Sequence, residues 1–155
     1  MNNNIVLYPG SFDPITKGHQ SIALRAAQMF DNVIVAIGNN PDKKSMFPIE
    51  QRLRFVEATF QGVPNIKVLS YNCLTVDLCR KENIRYIIRG IRSGMDWNAE
   101  TAIANANKLL FPPLETLFLL TEPHFVGISS SVVREILTYG GDVSAFVPQQ
   151  IVNML

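Results

Sequence analysis

Cysteine and histidine are scarce here: 155 residues carry only two of each. Cys73 and Cys79 lie six apart with no Cys-x-x-Cys and no histidine nearby. That excludes a metal framework and points to reduced thiols, both expected as small buried hydrophobes. With only His19 and His124, a histidine-rich metal centre is excluded as well. Charge of one sign is also missing. A net charge of +1 gives no electrostatic ground for expecting nucleic acid as a partner. No apolar run approaches the length of a membrane span, so no membrane partner is expected. Met1-Asn2-Asn3-Asn4 lacks the basic and apolar regions of a signal peptide, and a cytoplasmic protein is the expectation. Neither Gly-x-x-x-x-Gly-Lys-Ser/Thr nor Gly-x-Gly-x-x-Gly occurs, which removes two common nucleotide-binding loops. No Cys-His pair, Ser-His-Asp set or nucleophile elbow suggests covalent catalysis.

What is present is a regular alternation of short apolar runs and amphipathic stretches. Apolar residues make up 47% and charged ones 17%, the balance of a chain that buries a core. Strands are predicted at Ile5-Val6-Leu7, 33–37, 66–69, 86–88 and 117–120. Helices are predicted from near His19, from Pro48 to Phe60, over 74–81, over 96–110, and after Ser129-Ser130-Ser131, a strong N-cap cluster. One or two short helices, separated by Pro148, are expected in the tail. No repeat or linker divides residues 1–155, so they read as one domain. The pattern implies an α/β fold: a Rossmann-like, doubly wound, five-stranded parallel sheet with helices on both faces. In such sheets ligands bind beyond the C-terminal strand ends, at the point where strand order reverses. The polar loops after the first, second, fourth and fifth strands bring Ser11, His19, Lys43, Arg89, Arg92 and Ser129–Ser131 to one edge.

Everything turns on Tyr8-Pro9-Gly10-Ser11-Phe12-Asp13-Pro14-Ile15-Thr16-Lys17-Gly18-His19. A buried strand running into a glycine-containing loop and a helix N-terminus makes an anion site, because unpaired N–H groups and the helix dipole both favour negative charge. Together with Lys43, Arg89 and Arg92, this predicts a ligand carrying several phosphates and direct transfer between two bound phosphate compounds. Some of these residues also have plainer readings. Lys43 beside Lys44 can be a solvated pair and Glu100 a surface charge. Asp13 reads as a turn former, and Trp97 and Phe125 as core or pocket wall.

Thr16-Lys17-Gly18-His19 resembles the Thr/His-x-Gly-His motif of the nucleotidyltransferase superfamily. Adding Lys43 before Met46-Phe47, the Ile88-Arg89-Gly90-Ile91-Arg92 block with Asp96 and Glu100, and Ile128-Ser129-Ser130-Ser131 through Glu135, the whole chain resembles the bacterial phosphopantetheine adenylyltransferases. The resemblance implies transfer of AMP from ATP to 4′-phosphopantetheine with magnesium, giving dephospho-coenzyme A and pyrophosphate. It also implies a homohexamer, with dephospho-coenzyme A and coenzyme A as product or feedback ligands. Carried over by position, His19 stabilises the transition state, Ser11 holds both substrates, Lys43 and Arg89 bind the attacking phosphate, and Thr75 touches the pantetheine arm. Phe12, Gly90, Ile91, Arg92, Glu100 and Phe125, Val126, Gly127, Ile128, Ser129, Ser130 and Ser131 match ATP contacts, with Ser11 and His19. The resemblance assigns no protein residue to the metal. Competing readings are a superfamily member using nicotinate mononucleotide or a cytidylyl group, and a catalytically silent nucleotide-binding module.

Overall fold

Five strands alternate with five helices in a computed structural model that describes residues 4–155. Met1, Asn2 and Asn3, on which most of the signal-peptide reading rests, lie outside the described residues. The strands are β1 (Ile5–Gly10), β2 (Asn32–Gly38), β3 (Ile66–Tyr71), β4 (Tyr86–Ile91) and β5 (Glu115–Leu120). Between and after them run α1 (Lys17–Met29), α2 (Ile49–Thr59), α3 (Thr75–Lys81), α4 (Gly94–Leu110) and α5 (Ser130–Thr138). All strand pairs are parallel, in the order β3-β2-β1-β4-β5.

The central strands read as unbroken apolar runs because both of their faces are covered. Val6 and Tyr8, with Val33, Val35 and Ile37, point to one face; Leu7, Ile34 and Ala36 point to the other. On the first face α1 contributes Ile22, Ala23 and Ala26, α2 contributes Phe55 and Val56, and α5 contributes Val133. On the second, α3 supplies Val76, Leu78 and Cys79. Burial pushes the Cys79 thiol up to about 11. Cys73, expected to be buried too, is exposed, because it lies in the turn between β3 and α3. Trp97 is likewise half exposed on α4 rather than in the core, its ring tilted against Phe118 at 5.2 Å.

Where β1 and β4 part, a crevice opens. Their register covers only Val6↔Tyr86 and Leu7↔Ile87, whereas β1 continues along β2 as far as Gly10↔Ile37. Pro9, which has no N–H to give, sits beyond the last β4 partner, so no ladder bond is lost there.

Several boundaries differ from those expected. β4 does not stop at Ile88: Arg89 and Gly90 pair in register with Phe118 and Leu119. Ladder bonds come from the backbone, so a charged side chain does not end a strand. α1 begins at Lys17 because Thr16 caps it, and α4 begins at Gly94 because Ser93 accepts the Asp96 N–H. The tail forms one 3-10 helix, Gln149–Met154, after Pro148.

Gly90 packs closely against α1. A Cβ there would come within 3.1 Å of Ile22 Cγ1 and 3.3 Å of its Cδ1. Since Ile22 is itself buried on α1, Gly90→Ala is expected to cost about 1–3 kcal/mol of stability through overpacking. A urea melt measures this, and an unchanged midpoint would mean that α1 yields freely.

Candidate active site

The loop from β1 to α1 is built around a strained residue. Phe12 has φ 45°, a left-handed conformation that a bulky side chain adopts only when its surroundings compel it. Its ring is the restraint, edge-on to Tyr8 at 5.4 Å and to His19 at 5.1 Å. Thr16 then caps α1 reciprocally with His19: the Thr16 hydroxyl accepts the His19 N–H at 3.4 Å, and His19 Nδ1 accepts the Thr16 N–H at 3.1 Å. The Lys17 N–H goes to the Phe146 carbonyl at 2.9 Å. The Gly18 amide, between these two, lies on the cavity wall at the positive end of the helix.

The cap determines the histidine's chemistry. A backbone N–H can only donate, so Nδ1 must be the acceptor and the ring proton resides on Nε2. Burial first, then the positive charges of Arg89 and Arg92, lower the His19 pKa to about 4. At neutral pH the ring is therefore an uncharged Nε2–H donor. Folded and unfolded values differ in a definite sense. With the folded value depressed, the stability due to this group is complete above about pH 6.5 and drains away as pH falls toward 4. An NMR titration of the ring should find its midpoint near 4. A midpoint close to the usual histidine value of about 6.5 would mean that burial and the two arginines do not act as described.

Two cavities flank the end of β1. The first, of about 310 Å³, is walled by His19, Gly18, Gly90, Arg92 and the N-terminus of α5. Arg92 pairs with Asp96 at 3.0 Å and donates to the Ile128 carbonyl at 3.2 Å, joining the start of α4 to the serine loop. The three serines have separate tasks. Ser129 caps α5 by accepting the Val132 N–H, Ser130 donates to the Pro14 carbonyl at 2.8 Å, and Ser131 accepts from Arg134. The second cavity, of about 490 Å³, is walled by Lys43, Tyr71, Thr75 and the inner side of α4. Thr75 and Tyr71 share a hydroxyl hydrogen bond at 3.0 Å.

Pro9, Gly10, Ser11, Arg89 and Glu100 line both cavities. Arg89 holds this wall together. Its Nε and Nη2 each donate to a Glu100 carboxylate oxygen at 2.6 Å, while Nη1 donates to the Pro9 carbonyl. Burial works against the Arg89 charge, but Glu100 outweighs it and raises the guanidinium above its ordinary range. Glu100, which matches an ATP contact and whose plainer reading is a surface charge, is mostly buried and bidentate with Arg89. Asp13, expected as a turn former, is buried and accepts the Met46 and Phe47 N–H groups.

Most residues singled out from the sequence converge on these walls. Ser11, Phe12, His19, Gly90, Arg92, Glu100, Ile128, Ser129, Ser130 and Ser131 line the first cavity; Ser11, Lys43, Thr75 and Glu100 line the second; Arg89 lines both. Ile91, Phe125, Val126 and Gly127 line neither: Ile91 is buried in β4, and Val126 is exposed. Sequence reading missed Arg134 and Tyr71 as wall residues. The signal for Arg134 was its place one turn past the serine cap; Tyr71 gave none, since an aromatic closing a strand usually belongs to a core. Among the described residues no three His, Cys, Asp or Glu side chains gather as a metal site. Both cavity-lining carboxylates, Asp96 and Glu100, are already engaged by arginines.

A cytidylyltransferase-like family model matches residues 7–136. The phosphopantetheine adenylyltransferase of Flavobacterium psychrophilum is 46% identical, over 94% of this chain and 95% of that protein. That of Carboxydothermus hydrogenoformans is also 46% identical, over 95% and 91%, and that of Finegoldia magna is 45% identical, over 99% and 94%. A solved structure from Vibrio parahaemolyticus, described provisionally as a nicotinate-nucleotide adenylyltransferase, superposes with a TM-score of 0.70 over 96% of this chain and 91% of that one. At 17% identity that likeness speaks for the fold alone.

Proposed function

Because this chain belongs to the phosphopantetheine adenylyltransferase family, we propose that its two cavities hold ATP and 4′-phosphopantetheine and that AMP passes directly between them. The products are dephospho-coenzyme A and pyrophosphate, a step of coenzyme A synthesis. One observation carries this reading: two cavities, each lined by cationic side chains, share the wall formed by Ser11, Arg89 and Glu100. Two phosphate compounds bound on either side meet at that wall.

In the reaction an oxygen of the phosphopantetheine phosphate attacks the α-phosphorus of ATP, and the bond to the β,γ-pyrophosphate breaks in line with it. ATP lies along the His19 side, its phosphates toward the Gly18 amide, Arg92 and the N-terminus of α5, with Phe12, Gly90 and Ile128 as the nearby wall. The acceptor lies along the Lys43 side, with Thr75 beside its pantetheine arm and Lys43 and Arg89 aiming its phosphate. His19 donates Nε2–H to an α-phosphate oxygen as charge accumulates there. Ser11 serves both substrates. The Ile91 and Phe125–Gly127 contacts would need the bound nucleotide to extend past the first cavity.

The residues do not fit a protein-held magnesium site, since both nearby carboxylates are paired with arginine. We assign magnesium to the ATP phosphates and water, where it would neutralise charge. The homohexamer is a proposal supported by α4, a 17-residue helix with no buried residue. Met95, Leu109 and Leu110 are exposed along it and line neither cavity, an apolar surface that self-association would cover. Light scattering tests it: a monomer would refute the assembly. Coenzyme A and dephospho-coenzyme A would span both cavities as feedback ligand and product. Among the described residues no helix is long and apolar enough to cross a membrane. Two free cysteines agree with a reducing cytoplasm. Low net charge offers nucleic acid no footing.

Pyrophosphate release tests the reaction, with ATP and magnesium and either 4′-phosphopantetheine, nicotinate mononucleotide or no acceptor. Release only with phosphopantetheine is expected. Release with nicotinate mononucleotide alone would overturn the substrate, and ATP binding without release under any condition would favour a silent module.

A further inference from the structure

We propose that Arg52 and Asp13 are positioning residues for the acceptor, fastening the segment that carries Lys43 to the loop that carries Ser11. The proposal rests on reading the second cavity as the acceptor site. Arg52, on α2, is only 3% exposed, and all of its hydrogen bonds go to backbone carbonyls. Nε donates to Phe47 at 3.0 Å, and Nη1 donates to Ser11 at 2.8 Å and to Gly38 at 3.2 Å. Asp13, 6% exposed, grips the same segment from the other side, accepting the Met46 N–H at 2.8 Å and the Phe47 N–H at 2.9 Å.

Among the described residues the hydrogen bonds of this connection run through these two side chains, while the Phe47 ring packs edge-on against Phe55 at 5.1 Å. Among the described residues, no backbone–backbone hydrogen bond joins 39–47 to 10–16. One end of the segment is tied where the Asn39 N–H meets the Tyr71 carbonyl at 2.8 Å. Between the ends only local turns occur, Lys43 N–H to Asn40 O at 3.1 Å and Asp42 N–H to Asn40 Oδ1 at 2.9 Å. Lys43 is exposed and forms no ion pair with a described residue, so its position over the second cavity follows from where the segment is held. A buried guanidinium with several fixed donors suits this task better than an ammonium, because its planar fork fixes several carbonyls at once.

The test uses Arg52→Lys, which keeps the charge and loses the fork, and Asp13→Asn, which replaces one acceptor oxygen by a donor. Calorimetry on each preparation gives dissociation constants for 4′-phosphopantetheine and for ATP. Amide hydrogen exchange reports on Met46 and Phe47. The acceptor constant should rise about tenfold or more and the ATP constant less than about threefold, with Met46 and Phe47 exchanging faster in both variants. Adding Lys43→Ala to Arg52→Lys should weaken acceptor binding little further, since both changes remove one contribution. Equal weakening of both ligands, or additive losses with Lys43→Ala, would overturn the proposal by showing a merely structural role. If Arg52→Lys fails to fold, Asp13→Asn, which leaves the arginine in place, decides the matter on the same criteria. Wild-type protein that binds no 4′-phosphopantetheine would overturn the acceptor reading itself, and the exchange rates distinguish that failure from failure of the clamp.

Discussion

Replacing His19 with alanine is expected to lower kcat by roughly two to three orders of magnitude, about 3–4 kcal/mol, while ATP still binds. The expectation follows from the tautomer. Nδ1 is committed to the Thr16 N–H, so Nε2–H is the one donor that the ring can offer a developing charge. Being uncharged at neutral pH, it adds little to ground-state binding of ATP, and most of its effect falls on the transition state. Alanine also leaves the helix cap half made, at a cost of about 1 kcal/mol of stability. Glutamine separates the two effects. A glutamine at this third helical position can complete a capping box with its carbonyl oxygen and present an amide N–H where Nε2–H stood. His19→Gln should therefore keep the wild-type melting temperature and lose less activity than His19→Ala. Steady-state kinetics beside thermal melts give the comparison. Unchanged turnover in His19→Ala would remove His19 from the chemistry.

Arg89→Ala is the second large effect, and it should strike both substrates together. The guanidinium belongs to the wall common to both cavities, so its loss is expected to lower kcat/KM for ATP and for phosphopantetheine alike, each by about a hundredfold or more. It also strands Glu100, whose side chain is only 15% exposed. Breaking a fully buried pair costs about 3–5 kcal/mol; with 27% of the Arg89 side chain exposed, a loss of about 2–3 kcal/mol is expected here. A double variant, Arg89→Met with Glu100→Leu, tests the division. Removing both charges should restore much of the stability, because no carboxylate is left buried alone, but none of the activity. If the double variant were as unstable as Arg89→Ala, the pair would not be the source of the loss. An effect confined to one substrate would show that Arg89 serves one cavity only.

The contrast between these two residues bears on how the site could be read. His19 was legible because its partners are local. The strand, the loop and the helix follow one another within fifteen residues, and each leaves its mark in apolar spacing or turn residues, although the Thr16 cap that starts the helix went unread. The alternating pattern and its two-faced central strands were legible for the same reason, since periodicity is written along the chain. A parallel sheet, with its polar loops at one edge, follows from that alternation almost without choice.

Register, pairing and exposure are decided between distant segments, and there sequence reading fell short. Arg89 and Gly90 looked like loop because the apolar run ends at Ile88, yet β5 continues the ladder past them. Glu100 was singled out by the resemblance, but nothing along the chain showed that its partner is Arg89, eleven residues earlier. Arg52 drew no notice in the sequence, yet three backbone carbonyls from separate segments converge on it. Cys73 and Trp97 carry the hydrophobicity of core residues and lie outside the core. By itself, then, the sequence determined the element order, the strand–loop–helix corner at His19 and the family, all of which rest on neighbours along the chain. Only the tertiary structure decided which charges are paired, which are left for a ligand and that two cavities share one wall, because burial and ion pairing depend on distances in space that the order of residues does not contain.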